Sequence, residues 1–292
     1  MESVKDESIA IEEIEAKLKE LQQWINDDPE MPKKFEAILL LHYLKVARWR
    51  VEKAQTMIKL SLQLRTEHPE IFTDRDPLKK EMKDVFKATD MVLLSTTTEE
   101  NYKIGVFRLL QDELDHIEFN DLIKAFFVMS DVRNIMFEPK LNDGEIIIFD
   151  MSQVSYHHVT KIVLSTLRLY LRYIQEAHPV KVRQIHIINC NPIIDKLMML
   201  IKPFLSTRNY QMINCHTAGS ETLFDFVPRE LLPNELGGNH GPITEIKGFW
   251  LKQMEKHRDY IMDDDAWRLN IEQNNNSDEK EGGGVLDFLG IF

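Results

Sequence analysis

Two short apolar runs, EIIIFD at residues 145–150 and QIHIIN at residues 184–189, decide the fold of this chain. The first follows an Asn-Asp-Gly turn and the second follows Pro179, and both are typical of buried strands. Between them, Val159–Ile174 repeats apolar side chains at helical spacing. A strand, a helix and a strand at this spacing predict a parallel pair with a right-handed crossover, and therefore an α/β domain.

Further elements extend this unit in both directions. Lys103–Leu110 and Gln211–His216 are predicted strands, and Asn120–Phe137 and Pro192–Ser206 are predicted helices. The last helix is apolar over most of its circumference. Such a helix is either buried on every side or in contact with something outside its own protein, and the pattern leaves both interpretations open.

The chain begins and ends with segments of different character. The first 90 residues predict a small helical bundle with helices at Ile11–Ile25, Lys33–Lys45, Val51–Arg65 and Pro77–Phe86. After Trp267, the polar run EQNNNSDEKEGGG predicts a flexible linker to the apolar tip VLDFLGIF of residues 285–292. We therefore expect three units, residues 1–90, 91–262 and 263–292, and leave open whether the tip docks on a partner, a membrane or the core.

Composition restricts the function. The 292 residues carry 36 basic and 48 acidic side chains, a net charge of −12, which argues against a binder of bulk DNA or RNA. The two cysteines, Cys190 and Cys215, are too few for a disulfide framework or a zinc site and are expected to be buried free thiols. The pattern of a signal peptide and long apolar spans are both missing from the sequence, so we expect a cytosolic protein.

Catalytic motifs give no positive indication of an enzyme. The best candidate is the loop with Ser155, His157 and His158, where adjacent histidines on a helix would point in different directions. His186 and His216 lie in separate strands and are interpreted as core histidines with satisfied hydrogen bonds. We expect no catalysis, no metal and no cofactor.

Several segments resemble the CRAL-TRIO lipid-binding family, and specifically its tocopherol- and retinaldehyde-binding branch. The matching segments are LLLHYLKVARWRVEKAQTMI at 39–58, DGEIIIFDMSQVSYHH at 143–158, HPVKVRQIHIIN at 178–189, IKPFL at 201–205 and LLPNELGG at 231–238. The most specific is the run Pro179–Phe204, and the resemblance spans about residues 9 to 260.

The resemblance implies an N-terminal helical module followed by a mixed, mostly parallel sheet with covering helices. A mobile lid helix would close an apolar pocket that holds one lipophilic molecule. The implied pocket walls are Phe126, Ser130, Tyr170, Ile174, Val182 and Ile185. The implied lid residues that face the ligand are Ile194, Leu197, Met198, Ile201 and Leu205. Ser130 is a hydroxyl in an apolar wall, which would fix the ligand's polar group.

The resemblance also implies a membrane surface. In the tocopherol-binding branch a basic cluster near the lid binds phosphoinositide headgroups, and Lys181, Arg183 and Arg208 match three of its positions. Three further basic positions hold Ala47, Thr56 and Met212 here. We therefore expect a weaker and less selective attraction to anionic lipid, with each basic side chain contributing about 1 kcal/mol.

The predicted function is a cytosolic carrier, transiently bound to membranes, for one tocopherol (vitamin E), retinoid or carotenoid-like molecule. Two alternatives remain open. One is a phosphatidylinositol or phospholipid exchange protein of the same fold. The other is an adaptor that binds a protein partner through its C-terminal tail, with the pocket filled by Phe126, Tyr170 and Tyr173.

Overall fold

The computed structural model describes residues 9–110, 117–136 and 140–270. The helices in these ranges are α1 (Ile11–Asp27), α2 (Ala37–Val46), α3 (Val51–Glu67), α4 (Pro69–Phe72), α5 (Lys80–Ala88), α6 (Phe119–Ile135), α7 (Tyr156–Thr160), α8 (Leu164–Glu176), α9 (Ile193–Ile201), α10 (Thr207–Tyr210), α11 (Ile243–Lys256), α12 (Arg258–Met262) and α13 (Asp264–Trp267). The strands are β1 (Thr89–Thr97), β2 (Tyr102–Leu109), β3 (Gly144–Asp150), β4 (Val182–Cys190) and β5 (Ile213–Thr217). The apolar tip at residues 285–292 lies outside the described residues.

The strands form one mixed sheet in chain order, β1-β2-β3-β4-β5. Strand β1 is antiparallel to β2, and the other pairs are parallel. The parallel pairing of β3 with β4 across α7 and α8 confirms the strand–helix–strand unit predicted from the sequence. Strand β1 was not predicted, because it follows α5 directly at Thr89 with no turn residue to separate helix from strand.

Helix boundaries differ from the prediction at two places that matter for the site. The predicted helix over Val159–Ile174 is two helices, α7 and α8, with a break at residues 161–163. The apolar helix predicted to reach Ser206 ends at Ile201 and continues as a 3₁₀ turn, Lys202–Phe204. Pro203 explains that end, because its nitrogen has no proton to continue the α-helical hydrogen bonding.

Strand β3 is covered on both faces, as its apolar run predicts. Ile146 and Ile148 are buried in the main hydrophobic core, which also contains residues of α5, α6 and α11. The alternate residues Ile147 and Phe149 line a cavity instead. Because side chains alternate across a strand, Ile146 and Ile148 face the core from one side of β3, and Ile147 and Phe149 face the cavity from the other.

A buried charge cluster joins the N-terminal helices to α6. Asp131 accepts two hydrogen bonds from Arg65 of α3, at 2.9 and 2.6 Å, and a further one from Arg75. All three side chains are almost fully buried. Burial alone would raise the pKa of Asp131, but the charges and hydrogen bonds of the two guanidinium groups outweigh it and lower that pKa. The cluster thereby fixes α6, which carries much of the cavity wall.

Candidate functional site

A cavity of about 80 Å³, the deep cavity, lies between the sheet and helices α6 and α8. Its lining is mostly apolar and includes Gly105, Phe107, Ile147 and Phe149 from the sheet. All six side chains predicted as pocket walls line it: Phe126, Ser130, Tyr170, Ile174, Val182 and Ile185. The structure thus brings the six together, and their contact with a ligand stays a prediction.

A second cavity of about 250 Å³, the outer cavity, adjoins the first at the carboxyl ends of β2 and β3. Four aromatic side chains line both cavities: Phe107, Phe126, Phe149 and Tyr170. Their rings are in mutual contact, with centroid distances of 5.3 Å between Phe107 and Phe149, 5.8 Å between Phe107 and Phe126, and 4.9 Å between Phe126 and Tyr170. We call these four residues the aromatic partition.

Helix α9 lies over the outer cavity, which Leu197 lines. None of its residues is buried, and the side chain of Met199 is 72% exposed. The interpretation of this helix as a central buried element is therefore wrong. The other predicted lid residues, Ile194, Met198, Ile201 and Leu205, are half-buried and do not line either cavity described above.

Polar side chains hold both ends of α9 against the domain. At its start, the side-chain oxygen of Asn191 accepts a hydrogen bond of 2.9 Å from the backbone nitrogen of Ile193. Beyond its end, Gln175 of α8 donates to the carbonyl of Phe204 at 2.9 Å and accepts from the nitrogen of Ser206 at 3.0 Å. These few hydrogen bonds, without a buried apolar side chain, make α9 one of the less firmly packed elements.

One end of the deep cavity is polar. The Ser130 hydroxyl lies 2.6 Å from Nε2 of His178, and Asn134 donates to the same hydroxyl at 3.4 Å. Arg133 bonds the side chain of Asn134 at 2.8 Å and forms an ion pair of 2.5 Å with Glu145 of β3. We call the cavity-lining members of this network, Ser130, Arg133, Glu145 and His178, the polar end.

His178 is uncharged at neutral pH. Desolvation, and next the positive charge of Arg133, lower the pKa of its imidazole from 6.5 to about 3. The sequence indicated only Ser130 at this end. Arg133, Glu145 and His178 were missed, although a glutamate opening an apolar strand and an arginine within an apolar helix are signals that could have drawn attention to them.

Tyr173 does not fill the pocket. Its ring lies against Phe72 and Phe127, and its hydroxyl is 2.7 Å from Ser61 and accepts a hydrogen bond of 2.9 Å from Arg65. The adaptor interpretation placed this side chain inside the pocket, and that part of it is wrong.

The predicted headgroup residues lie in different surroundings. Arg183 donates to the backbone carbonyl of Asp143 at 2.9 and 2.7 Å, and its guanidinium lies over the ring of Tyr102. Lys181 borders a cleft beside α2, and Arg208 is exposed on α10. Their binding of anionic lipid stays a prediction.

Arg208 belongs to a basic surface that the family resemblance did not indicate. Desolvation and then the charges of Arg50, Arg48 and Arg208 lower the pKa of Lys53, so each of the three arginines lies within electrostatic range of Lys53. All four are exposed. The family resemblance pointed to position 47, where Ala47 is fully buried. The positive charges lie just after it, a pattern visible as RWR at residues 48–50.

The catalytic candidates have structural roles. Ser155 caps helix α7, and its backbone nitrogen donates to Nδ1 of His158 at 2.9 Å, so the pair forms a capping box. His157 lies beside them and is exposed. The arrangement stabilises the start of a helix.

The strand histidines and cysteines give one confirmation and one correction. His186 and His216 are buried, lie 2.9 Å apart, and bond Gln184 and Thr222 with their other nitrogens, which confirms that they are satisfied core histidines. Cys190 is half-buried and Cys215 is exposed, so the expectation of two buried thiols is wrong for Cys215 and only partly met for Cys190. Its strand, β5, lies at the edge of the sheet, where one side is open to solvent.

Comparison with known proteins agrees with this architecture. The CRAL/TRIO domain family matches residues 85–238, more than half of the chain, and a Pinta-like UBA domain matches residues 10–82. Clavesin-2 of Homo sapiens is 24% identical over 232 residues, covering 78% of this chain and 68% of that protein. Clavesin-1 of Rattus norvegicus is 29% identical over 137 residues, covering 47% and 38%. The match therefore spans only 38% of Clavesin-1.

Among solved structures, Sfh5 is similar with a TM-score of 0.48 and 14% identity, covering 85% of this chain and 99% of that one. No helix in the described ranges has the length and apolar character needed to cross a membrane. The fold and the match to residues 85–238 lead to one conclusion: the chain belongs to the CRAL/TRIO family of lipid-binding and lipid-transfer proteins.

Proposed function

We propose that this protein is a cytosolic carrier that binds one small hydrophobic molecule, such as a tocopherol, a retinoid or a carotenoid-like lipid, and exchanges it at membranes without chemical change. The observation that carries the proposal is the mostly apolar cavity between the sheet and helices α6 and α8, next to an outer cavity under a helix without buried residues. An apolar cavity with a few convergent polar groups is the usual form of a small-molecule site.

The size of the cavities favours a ligand that occupies both. Ligand pockets usually have volumes of about 300–1,000 Å³. The deep cavity, at about 80 Å³, and the outer cavity, at about 250 Å³, are each below that range. A ligand that fills both cavities must displace the rings of the aromatic partition. We infer that these rings rearrange on binding.

Burial of the tail supplies the binding energy in this proposal. At about 0.8 kcal/mol per CH₂, a tail of roughly 15–20 carbons gains enough from an apolar cavity to offset its removal from a membrane. Exchange then depends on displacement of α9, which is held mainly by hydrogen bonds at its two ends.

Membrane contact is proposed for the exposed side of α9 and for the basic side chains around Lys53. Met199 supplies an exposed apolar side chain, and Arg48, Arg50, Lys53 and Arg208 supply positive charge on a chain whose net charge is −12. Such a combination suits an anionic bilayer surface, where each basic side chain contributes about 1 kcal/mol.

Replacing Met199 with aspartate should slow lipid transfer and leave binding intact. The side chain is exposed, so Met199→Asp removes apolar membrane contact and adds repulsion from anionic lipid without altering the cavity. We expect transfer of a fluorescent lipophile from carrier to anionic vesicles to slow about tenfold or more, with an unchanged Kd. The matched variant Leu197→Ala, on the cavity side of the same helix, should instead weaken binding. Equal transfer rates for Met199→Asp and wild type would contradict the membrane-contact role.

Saturable binding of a lipophile tests the proposed function itself. Delipidated protein should bind at least one of a panel of tocopherols, retinoids and carotenoids with one-to-one stoichiometry. Ile174→Trp, which places a large ring in the deep cavity, should abolish that binding. The control Val163→Trp adds the same ring at an exposed position just before the same helix and should bind normally. Mass spectrometry of copurified lipid tests the alternative of a phospholipid exchange protein, because a bound phospholipid would contradict the small-lipophile proposal.

A further inference from the structure

The polar end of the deep cavity defines the chemistry of the ligand's head. Its charged pair, Arg133 and Glu145, is buried, with side chains 5% and 9% exposed, and the two charges cancel. His178, the third titratable side chain there, is neutral because burial and Arg133 disfavour its protonated form. The polar end therefore has hydrogen-bonding groups but no net charge of its own.

Two groups at this end have an unused hydrogen-bonding position. The buried Nε of Arg133 has no hydrogen-bond partner within the described ranges, although its two terminal nitrogens are bonded. The Ser130 hydroxyl, bonded to His178 and weakly to Asn134, keeps one position in either imidazole tautomer. If Ser130 donates to His178, a lone pair of its oxygen is left. If His178 donates instead, the hydroxyl proton is left.

A buried donor without an acceptor is costly, so a ligand that supplies the acceptor gains affinity. A carboxylate, a phosphate or an ammonium group would instead bring an uncompensated charge into a space where the existing charges already cancel. A hydroxyl accepts from Arg133 Nε and also donates to or accepts from Ser130.

We propose that the carrier selects lipophiles with an uncharged, hydrogen-bonding head, an alcohol or phenol above all, and rejects the fatty acid, amine or phosphate of the same tail. This inference rests on the proposed carrier function and specifies its ligand class. The apolar tail would extend from the polar end past the aromatic partition toward α9.

Four compounds with the same tail test the inference: hexadecanol, hexadecanoic acid, hexadecylamine and hexadecane. Each competes at pH 7.5 with a fluorescent lipophile bound to the full-length protein. We expect hexadecanol to bind at least about tenfold more tightly than the acid or the amine, and also more tightly than hexadecane. Equal affinities for all four, or tighter binding of the acid or amine, would overturn the head-group inference and leave the carrier function standing. If none of the four competes and the tocopherol, retinoid and carotenoid panel also fails, both proposals fall.

Variants of the polar end sharpen this test. Glu145→Gln leaves the charge of Arg133 uncancelled, so the preference should move from the alcohol toward the acid by about tenfold or more. Ser130→Ala should reduce the advantage of hexadecanol over hexadecane without affecting hexadecane. The control Ile174→Val, in the apolar wall, should weaken all ligands to a similar extent. Circular dichroism checks that each variant is folded. If Glu145→Gln does not fold, the four-compound panel on the wild-type protein tests the head-group inference by itself.

Discussion

Asp131→Ala should lower the free energy of unfolding by about 3–5 kcal/mol, a large part of the 5–15 kcal/mol that stabilises a typical domain. Asp131 bonds both Arg65 and Arg75, and its removal leaves two buried guanidinium groups facing each other. Chemical denaturation at pH 7.5 measures the change.

Two comparison variants separate this effect from an ordinary loss of an ion pair. Arg75→Met leaves Arg65 and Asp131 as a balanced pair, so it should cost less than Asp131→Ala. Asp84→Ala removes the partner of Lys80 on the exposed face of α5 and should cost no more than about 0.5 kcal/mol. A loss below about 1 kcal/mol for Asp131→Ala would show that the cluster is not the connection between α3 and α6 that its geometry indicates. Failure to recover folded Asp131→Ala protein would agree with the expected loss.

The second large effect is a loss of stability on mild acidification. The pKa values of His42 and His178 are lowered from 6.5 to about 3 in the folded protein, chiefly by desolvation and next by Arg133. At pH 7.5 both residues are neutral in the folded and unfolded states. Below about pH 6.5 the unfolded chain takes up protons that the folded chain does not, so stability falls until about pH 3. At pH 5 the loss is about 2 kcal/mol for each histidine, or about 4 kcal/mol together.

Denaturation midpoints at pH 7.5, 6 and 5 measure this dependence. Between these values most carboxylates remain ionised in both states, so the histidines dominate the slope. Desolvation also lowers the pKa of His186, to about 4, so three buried histidines contribute to the slope. His178→Phe keeps a ring in the same space and should remove about a third of it. A midpoint that does not change between pH 7.5 and 5 would mean that the buried imidazoles take up protons without unfolding.

The sequence was informative where a pattern is local. Parallel strands covered on both faces appear as continuous apolar runs, which made β3 and β4 predictable. Strand β1 was not predicted because helix α5 ends at Ala88 and the strand begins at the next residue. The residues of the cavity walls were predicted from the resemblance to the family. Residues such as Ile147 and Ile185, which pair across β3 and β4, show that the sheet register assembles one face of that wall.

The sequence was uninformative where partners are far apart in the chain. Arg133 reaches Glu145 only because α6 packs against β3, and Asp131 reaches Arg65 across 66 residues. No periodicity encodes such pairs, since each depends on how whole elements dock. The basic surface was missed for a related reason. Position 47 is buried, and positive charges instead lie at Arg48 and Arg50, in the loop that follows it.

The four touching rings between the two cavities have a kinetic consequence for any guest. In the proposed carrier, a short molecule confined to the outer cavity would leave when α9 moves aside. A longer one, threaded beyond Phe107 and Phe126, also has to wait for ring rotation in a crowded interior. The residence time of the ligand would then rise stepwise, not gradually, with the length of its chain. The protein would release short ligands quickly and long ligands slowly.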